Sequence, residues 1–439
     1  MLKDVPTVAC LMSTIHNQHA SPAGVEASSA HRPAFAADLA GADRCVLCGM
    51  CLPHCPTYAL QRTEGDSPRG RITLMQGLAQ GRLQPDNARL RAHLEGCLGC
   101  RSCEAICPAG VRFGELMDSS RRILQENRGH GVWLALAQRM FSPWRRLALR
   151  RRRLRQVAAL AARTAHGLRL RHLVPGRTRL GRVLRHTGPS LARMPHLESL
   201  APTGPSDVLV FAGCMDAFFT GPDTAAALQL LRDLGVRPGL PPGQVCCGAI
   251  DQHLGRTSDA ARLRKINAIA FGDTQPILAL DSGCEAQLRE YPEAAWRGRV
   301  NSLTGFLARL PLEDFRWRSD PVRIALHLPC TLRNVTRETD GIRRVFERLP
   351  GIEVIALAPP RNCCGAAGTA MLTQPDSADP LGQETLDALN ATRPEVIVSP
   401  NVGCSVHLRA LQDRSGNGPR ILSPARFLHE RLRIAGDDR

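Results

Sequence analysis

The sequence lacks long apolar runs, and it contains few aromatic residues and almost no lysine. No apolar stretch approaches the roughly 20 residues of a membrane-spanning helix, so we expect any membrane contact to be peripheral. Aromatic residues make up 4% of the chain, and no DNA-reading motif is recognisable, so nucleic acid is not an expected partner. Lys3 and Lys265 are the only lysines, and the remaining basic residues are arginine.

Two further absences limit the chemistry. No Gly-x-Gly-x-x-Gly fingerprint follows a predicted strand and no acid–base constellation stands out, so we assign no dinucleotide site and no catalytic residue. The first residues contain no apolar signal segment of about 7–15 residues. Adjacent cysteines such as Cys246 and Cys247 also suit a shared metal better than separate disulfides. We therefore expect reduced, metal-binding thiols in a cytoplasmic protein.

The net charge of +17 is concentrated in one segment. Residues 119–197 contain nineteen arginines and one acidic residue, Glu126, so the rest of the chain is close to neutral. We predict an Arg-rich helical connector over residues 119–205. Such a basic amphipathic helix can lie on an anionic membrane, but we favour packing of its apolar stripe on the protein's own domains. The stripe consists of Trp133, Leu136, Met140, Trp144 and Leu147, continued by Leu154, Val157 and Leu160.

Eight of the 17 cysteines form two copies of one spacing. Cys-x2-Cys-x2-Cys-x3-Cys-Pro occurs at residues 45–56 and again at 97–108. In two-cluster ferredoxins three closely spaced thiolates hold one cluster and the fourth ligates the other. Zinc is less favoured, because zinc sites usually use two ligand pairs separated by a long loop. The spacing predicts two [4Fe–4S] clusters, the first held by Cys45, Cys48, Cys51 and Cys107 and the second by Cys97, Cys100, Cys103 and Cys55.

The insert between the two motifs predicts a helix. Asp66 or Ser67 can cap it, Pro68 suits its first turn, and Ile72, Met75 and Leu78 give it an apolar face. This resembles the largely helical ferredoxin domain of the succinate dehydrogenase type, which we place at residues 39–118. Arg69 and Arg71 either face the anionic clusters or form a solvated helix start. Residues 1–38, rich in Ala, Ser, His and Pro, are interpreted as a disordered extension.

The other eight grouped cysteines belong to a duplicated pattern. Each copy has a cysteine after an apolar run, then Cys-Cys-Gly, then a cysteine after a second apolar run, which predicts two α/β repeats at residues 206–312 and 320–434. Loops at the carboxyl ends of strands gather ligands in α/β folds, so these loops could converge on a common crevice. The cysteines are Cys214, Cys246, Cys247 and Cys284 in the first repeat and Cys330, Cys363, Cys364 and Cys404 in the second.

The duplicated pattern resembles the cysteine-rich CCG domain of heterodisulfide reductase and several flavin-linked dehydrogenases. That family closes with Cys-x2-Cys, whereas Gln287 and His407 stand at the last position here. The thiols could hold a cluster, hold zinc, or be buried without metal. A metal is expected more in the second repeat, where His407 could join the thiols, since imidazole ligates both zinc and iron. His327 also lies near a cysteine loop, but a lone histidine near a core strand is more often structural.

Together these motifs identify an α+β multidomain protein that resembles the iron–sulfur subunit of glycolate oxidase (glycolate dehydrogenase) from residue 44 onward. The resemblance implies an oxidoreductase subunit that passes electrons from flavin-binding subunits, which carry the FAD and oxidise glycolate to glyoxylate, to a respiratory quinone. It implies a cytoplasmic location, with possible contact to the inner face of the membrane. Alternatives are the iron–sulfur subunit of a lactate or glycerol-3-phosphate dehydrogenase, or a non-enzymatic redox or metal sensor that binds DNA or membrane through the connector.

Overall fold

The computed structural model describes residues 33–128, 152–168, 174, 178–191, 197, 204–416 and 418–433. These residues form a helical N-terminal unit, connector helices and two α/β repeats, which confirms the predicted α+β multidomain fold. Most of the predicted N-terminal extension lies outside the described residues, but a 3-10 helix, Ala36–Arg44, begins within its last part. Five residues of the predicted apolar stripe also lie outside them: Trp133, Leu136, Met140, Trp144 and Leu147.

The N-terminal unit packs short helices around the two cysteine motifs. The helices are α1 (Pro56–Gln61), α2 (Pro68–Ala79), α3 (Ala88–Glu95), α4 (Ser102–Ala105) and α5 (Phe113–Glu126). Helix α2 confirms the predicted insert helix, because the Ser67 hydroxyl accepts a hydrogen bond from the Gly70 amide at 2.9 Å. Its predicted apolar face, Ile72, Met75 and Leu78, is buried against the rest of this unit.

Two helices of the connector are described, α6 (Arg152–Gly167) and α7 (Arg179–Thr187). Val157 and Leu160 on α6 are 64% and 59% exposed, so the expectation that the apolar stripe packs on the protein's own domains is wrong for these two residues. The helix instead buries Ala159 and contacts the 3-10 helix Met215–Ala217 of the first repeat. A small side chain permits this close approach and leaves the larger apolar side chains outside.

The two repeats have the same sheet topology. Each sheet has four parallel strands, in the orders β2-β1-β3-β4 and β6-β5-β7-β8. The strands are β1 (Val208–Phe211), β2 (Pro238–Gly239), β3 (Ile277–Ala279) and β4 (Val300–Ser302), then β5 (Val322–His327), β6 (Ile352–Leu357), β7 (Val396–Val398) and β8 (Arg420–Leu422). The apolar runs predicted as strands before the single cysteines are therefore β1, β3, β5 and β7.

Helices connect the strands, as parallel pairing requires. In the first repeat they are α8 (Gly221–Asp233), α9 (Ala249–His253), α10 (Thr257–Phe271), α11 (Ser282–Arg289) and α12 (Leu303–Leu307). In the second they are α13 (Thr339–Glu347), α14 (Ala370–Thr373), α15 (Pro375–Ala391), α16 (Val402–Ser415) and α17 (Pro424–Arg431), with a π-helix at Thr331–Thr336. Among the helices within the described ranges, none is long and apolar enough to cross a bilayer.

The repeats pack on each other through one apolar core. This core contains Leu228 and Leu231 of α8 together with Phe346 of α13 and Phe427 of α17, all buried. The repeats also meet where α11 and α16 begin. There the Ser282 amide donates to the Pro400 carbonyl at 2.9 Å. The two sheets thus belong to one packed body, which fixes the positions of both sets of cysteine loops.

Candidate metal centres

The first candidate centre is a cavity at the surface of the N-terminal unit, with about 450 Å³ of empty volume including its open mouth. Leu47 and Gly49 adopt left-handed backbone conformations, and so do Gly99 and Arg101 at the matching positions of the second motif. These turns curl each loop upon itself. Five of the lining residues are cysteines: Cys45, Cys48 and Cys51 of the first motif and Cys103 and Cys107 of the second. Cys103 also lines the neighbouring cavity, so Cys107 is the cysteine of the second motif that lines the first cavity alone.

The second candidate centre is a neighbouring cavity of about 300 Å³ that lies deeper in the protein. Four cysteines line it, three from the second motif and one from the first: Cys97, Cys100, Cys103 and Cys55. Cys55 and Cys100 are buried, whereas Cys48 of the first cavity is exposed. The exchange of the fourth cysteine between the two loops is the arrangement that two adjacent [4Fe–4S] clusters need.

Arg69 and Arg71 line the first and second cavities, respectively. Arg71 is 1% exposed and donates to the Thr57 hydroxyl at 2.8 Å and to the Asp66 and His93 carbonyls at 2.6 and 2.8 Å. Arg69 pairs with Glu64 at 2.7 Å. The interpretation of a solvated helix start is therefore wrong for Arg71, which supports the wall of the second cavity.

The thiols of these cavities fit a metal because the protein alone does little to stabilise them as thiolates. Burial raises the pKa of Cys100 and of Cys103 well above the usual value of a thiol, and it raises the pKa of Cys51 as well. Crowded thiols of this kind become thiolates readily only when a cation between them offsets their charge.

The first repeat gathers its four cysteines beside the ends of β1 and β3. The Sγ atoms of Cys247 and Cys284 are 3.5 Å apart, and a hydrogen bond from Cys214 is the largest cause of the lowered pKa of Cys246. Cys284 lies in the first turn of α11, where the Asp281 carboxylate accepts from its amide at 2.9 Å. The Tyr291 hydroxyl donates to the Cys247 carbonyl at 2.8 Å. Aromatic and amide side chains of the first repeat thus hold the backbone around these thiols.

The second repeat gathers an equivalent set beside β5 and β7. The Sγ atoms of Cys364 and Cys404 are 2.8 Å apart, and Cys330 hydrogen bonds with Cys363, which lowers the pKa of Cys330. Among the described residues the close thiol contacts stay within each repeat. Cys284 and Cys404 lie in the first turns of α11 and α16, and these turns meet at the boundary between the repeats. Convergence of the four loops on a common crevice stays a prediction.

The second repeat contains a histidine beside its thiols, but it is His327 and not His407. Ligand atoms of His327, Cys364 and Cys404 lie within 4.8 Å of one another, and all three residues are buried. His407 Nε2 lies 3.1 Å from the Ala378 carbonyl, which can only accept, so Nδ1 accepts from His186 Nε2 of α7 at 3.1 Å. The expectation that His407 joins the thiols is wrong in this structure. The position of His327, at the end of an apolar run and three residues before Cys330, places it near the site but does not by itself distinguish it from His407.

The second cavity adjoins the thiols of the second repeat. Asn334 Nδ2 donates to the Cys100 carbonyl at 2.7 Å, and Cys100 and Cys363 belong to one small apolar cluster with Leu98 and Leu381. Cys330 is close enough to Cys100 to contribute to its raised pKa, after burial. The buried end of the N-terminal unit therefore leads into the second repeat.

Comparison with known proteins agrees with this arrangement. Residues 41–111 match the 4Fe-4S dicluster domain family, and residues 208–289 and 324–409 each match the cysteine-rich domain family CCG. The chain is 33% identical to the glycolate oxidase iron-sulfur subunit of Escherichia coli, over 83% of this chain and 89% of the relative. It is 31% identical to the probable glycolate oxidase iron-sulfur subunit of Bacillus subtilis, over 86% and 90%. Lactate utilization protein A of Geobacillus thermodenitrificans is 25% identical over 51% of this chain and 99% of its own length.

Proposed function

This chain belongs to the family of glycolate oxidase iron–sulfur subunits, and from that premise we propose that it carries electrons from flavin-binding partner subunits to a respiratory quinone. Its role as an electron-transfer, iron–sulfur subunit of an oxidoreductase complex follows from the family. The substrate, glycolate oxidised to glyoxylate, and the acceptor are the proposal. The observation that supports it best is the pair of neighbouring cavities, in which Cys107 of the second motif lines the first cavity and Cys55 of the first motif lines the second.

We assign one [4Fe–4S] cluster to each cavity. The ligands of the first are Cys45, Cys48, Cys51 and Cys107, and those of the second are Cys97, Cys100, Cys103 and Cys55. When bound, such clusters supply one-electron transfer. The chain's own residues hold the clusters in place and control access to water. The first cavity is open to the surface, because its lining includes four exposed residues, Val46, Leu47, Cys48 and Met50. The second is enclosed by buried residues, namely Cys55, Arg71 and Cys100. The open cavity is therefore the natural point of electron exchange with a partner.

The substrate site belongs on a partner subunit in this proposal. Oxidation of a 2-hydroxy acid removes two electrons at once, so one-electron centres need a two-electron cofactor such as a flavin between them and the substrate. FAD is accordingly assigned to the partner subunits. The same geometry would serve a lactate dehydrogenase complex, and the likeness of about half of this chain to lactate utilization protein A keeps lactate as the second candidate substrate.

The first experiment is anaerobic purification of the chain alone and with its co-purifying flavoprotein. We expect about eight irons and about eight acid-labile sulfides in the two cavities of each chain. Glycolate added to the complex should reduce these clusters, as seen by EPR. Zinc without sulfide would contradict the cluster assignment. Reduction by lactate or glycerol 3-phosphate but not by glycolate would contradict the proposed substrate and leave the electron-transfer role intact.

Cysteine variants separate the two clusters. Cys48→Ser should lose the outer cluster and Cys97→Ser the inner one, each with about half of the eight irons. The matched control is Cys284→Ser, which leaves both cavities unchanged. A Cys48→Ser protein that keeps all its iron would contradict the ligand assignment.

We also propose peripheral contact with the cytoplasmic face of an anionic membrane. Val157 and Leu160 project from α6, whose sequence contains Arg152, Arg153 and Arg155. Apolar side chains on a basic helix bind anionic bilayers in proportion to buried area and charge. Sedimentation with vesicles of mixed phosphatidylcholine and phosphatidylserine should retain the wild type and release the Val157→Ser, Leu160→Ser double variant. Equal retention of both proteins would contradict this contact.

A further inference from the structure

His327 occupies an unusual position in the core of the second repeat. It is fully buried, and its Nδ1 lies 3.0 Å from the Ser399 hydroxyl. Its Nε2 has no hydrogen-bond partner among the residues that the structure describes. A ring nitrogen of His327 lies within 4.8 Å of the thiols of both Cys364 and Cys404. The imidazole therefore lies beside two sulfur atoms, with one nitrogen held by a hydroxyl and the other unpaired within this part of the chain.

A purely structural histidine explains this arrangement poorly. Leaving a buried polar atom without a partner costs on the order of 1–3 kcal/mol, and a phenylalanine would fill the same space without that cost. A neutral imidazole carries a proton on one nitrogen only, so the other nitrogen has a lone pair that can bind a metal. A hydrogen bond that fixes one nitrogen while the other is free is the usual setting of a metal-ligating histidine.

The first repeat provides an internal comparison. Phe211 stands three residues before Cys214, as His327 stands three residues before Cys330. Phe211 pairs with Ala279 across β1 and β3, and the same register, with Leu326 opposite Val398, places His327 opposite Ser399. The first repeat thus keeps all four cysteines but has Phe and Ala where the second has His and Ser. The imidazole and its supporting hydroxyl occur together in one repeat only.

We propose that His327 is a ligand, through the ring nitrogen opposite Ser399, of a third metal centre that Cys364 and Cys404 hold in the second repeat and that the first repeat lacks. Two thiolates and one imidazole suit a zinc ion or an iron–sulfur centre, with Cys330 or Cys363 completing the set. Cys404 lies in the first turn of α16, a 14-residue helix whose amino terminus stabilises a thiolate. This centre goes beyond the proposed function, and it does not depend on which substrate the partner oxidises.

The test is the metal and sulfide content of the full chain, purified anaerobically, for the wild type and three variants. We expect the wild type to contain iron or zinc in addition to the irons of the two cavities. His327→Phe, which introduces the residue of the first repeat, and Cys404→Ser should lose this additional metal and keep the cluster signals of the two cavities. The matched control Cys284→Ser should keep it. A wild type without additional metal, or a His327→Phe protein that retains it, would overturn the proposal.

A gain-of-ligand variant separates ligation from packing. His327→Cys offers a thiolate in place of the imidazole, so it should regain the additional metal that His327→Phe loses. If the metal is iron, pulsed EPR should show nitrogen hyperfine coupling in the wild type and none in His327→Cys. If it is zinc, X-ray absorption should show one nitrogen ligand replaced by sulfur. The absence of a nitrogen ligand in the wild type would refute the assignment, whichever metal is found.

Ser399→Ala provides a milder test that spares the ligands. Removal of a supporting hydrogen bond typically weakens metal binding about 10–100-fold, so a chelator should strip the additional metal from this variant at correspondingly lower concentration. Unchanged resistance to chelator would contradict the orienting role of Ser399 and the choice of ring nitrogen. Failure here would leave glycolate-driven reduction of the two clusters untouched, so the two proposals fail separately.

Discussion

At the scale of single residues, Arg71 shows how a buried charge can be part of a scaffold. Its guanidinium spans three segments of the N-terminal unit, through Thr57, Asp66 and His93. Arg71→Met should lower the free energy of unfolding of this unit by about 3 kcal/mol, because the two carbonyls and the Asp66 carboxylate each lose a buried charged donor. Chemical denaturation measures the change. Arg112→Met, at a 70% exposed side chain paired with Glu115, should change it by less than about 0.5 kcal/mol.

The contact between His186 of the connector and His407 of the second repeat predicts that the stability of the fold depends on pH. Burial, followed by the neighbouring His407, lowers the pKa of His186 to about 4, whereas an unfolded chain has a histidine pKa near 6.5. Between these values the unfolded chain binds the proton and the folded one does not. Stability should therefore fall as the pH decreases from about 6.5 to about 4, with a contribution from His186 on the order of 2 kcal/mol.

The measurement is urea denaturation at several pH values for the wild type and for His186→Phe. The variant should lose less stability than the wild type over this interval, since His407 and the other buried histidines still titrate. If the free energy of unfolding falls by the same amount in both proteins, His186 takes up a proton as readily in the folded state as in the unfolded one, and the prediction fails.

At the scale of secondary-structure elements, the glycines of the two Cys-Cys-Gly sequences make a matched pair. Gly248 and Gly365 both have left-handed backbones, with φ of 89° and 81°. A Cβ on Gly365 would lie 2.3 Å from the Ala378 carbonyl oxygen of α15, whereas one on Gly248 would lie 3.4 Å from its nearest neighbours in Ala260. Gly248→Ala should cost about 1–2 kcal/mol, from backbone strain alone. Gly365→Ala should cost several kcal/mol, because α15 must also move. Thermal unfolding of both variants would reveal the difference, and similar costs would mean that α15 yields easily.

The elements themselves were largely predictable, since their signals are local. The capped start of α2 at Ser67, and the apolar runs that became β1, β3, β5 and β7, need only neighbouring residues to be recognised. The orientation of α6 was not predictable in this way. Its stripe of Val157 and Leu160 predicts burial by periodicity, yet Ala159 makes the contact, because the shape of the neighbouring surface selects the smaller side chain.

At the scale of the whole molecule, one carboxylate joins the two repeats. Asp281 accepts from the amides of Gly283 and Cys284 at the start of α11 and from the Val402 amide at the start of α16, at 2.9, 2.9 and 2.5 Å. Asp281→Ala should destabilise the chain by about 2–3 kcal/mol, because three amides lose their acceptor. Ser302→Ala, which removes the cap of α12 within the first repeat, should cost about 1 kcal/mol. Equal effects in calorimetry would mean that the bridge between the repeats contributes nothing.

Long-range pairings of this kind set the limit of prediction for the candidate sites. The cysteines could be grouped from spacing, because the ligands of the N-terminal cavities follow from two local loops. Whether His327 or His407 lies beside Cys364 depends on the register of β5 against β7 and on the packing of α7, which no local pattern records. The same holds for the approach of Cys100 to the second repeat.

The difference in exposure between the two N-terminal cavities has a consequence for handling the protein in air. Dioxygen and peroxide diffuse with the solvent, so they reach the open cavity at Cys48 long before they reach the enclosed one at Cys55 and Cys100. Oxidative damage should therefore be sequential. The outer half of the iron is lost first, the inner half survives until the N-terminal unit separates from the second repeat, and a briefly aerated sample is a half-loaded protein rather than a mixture of intact and empty chains.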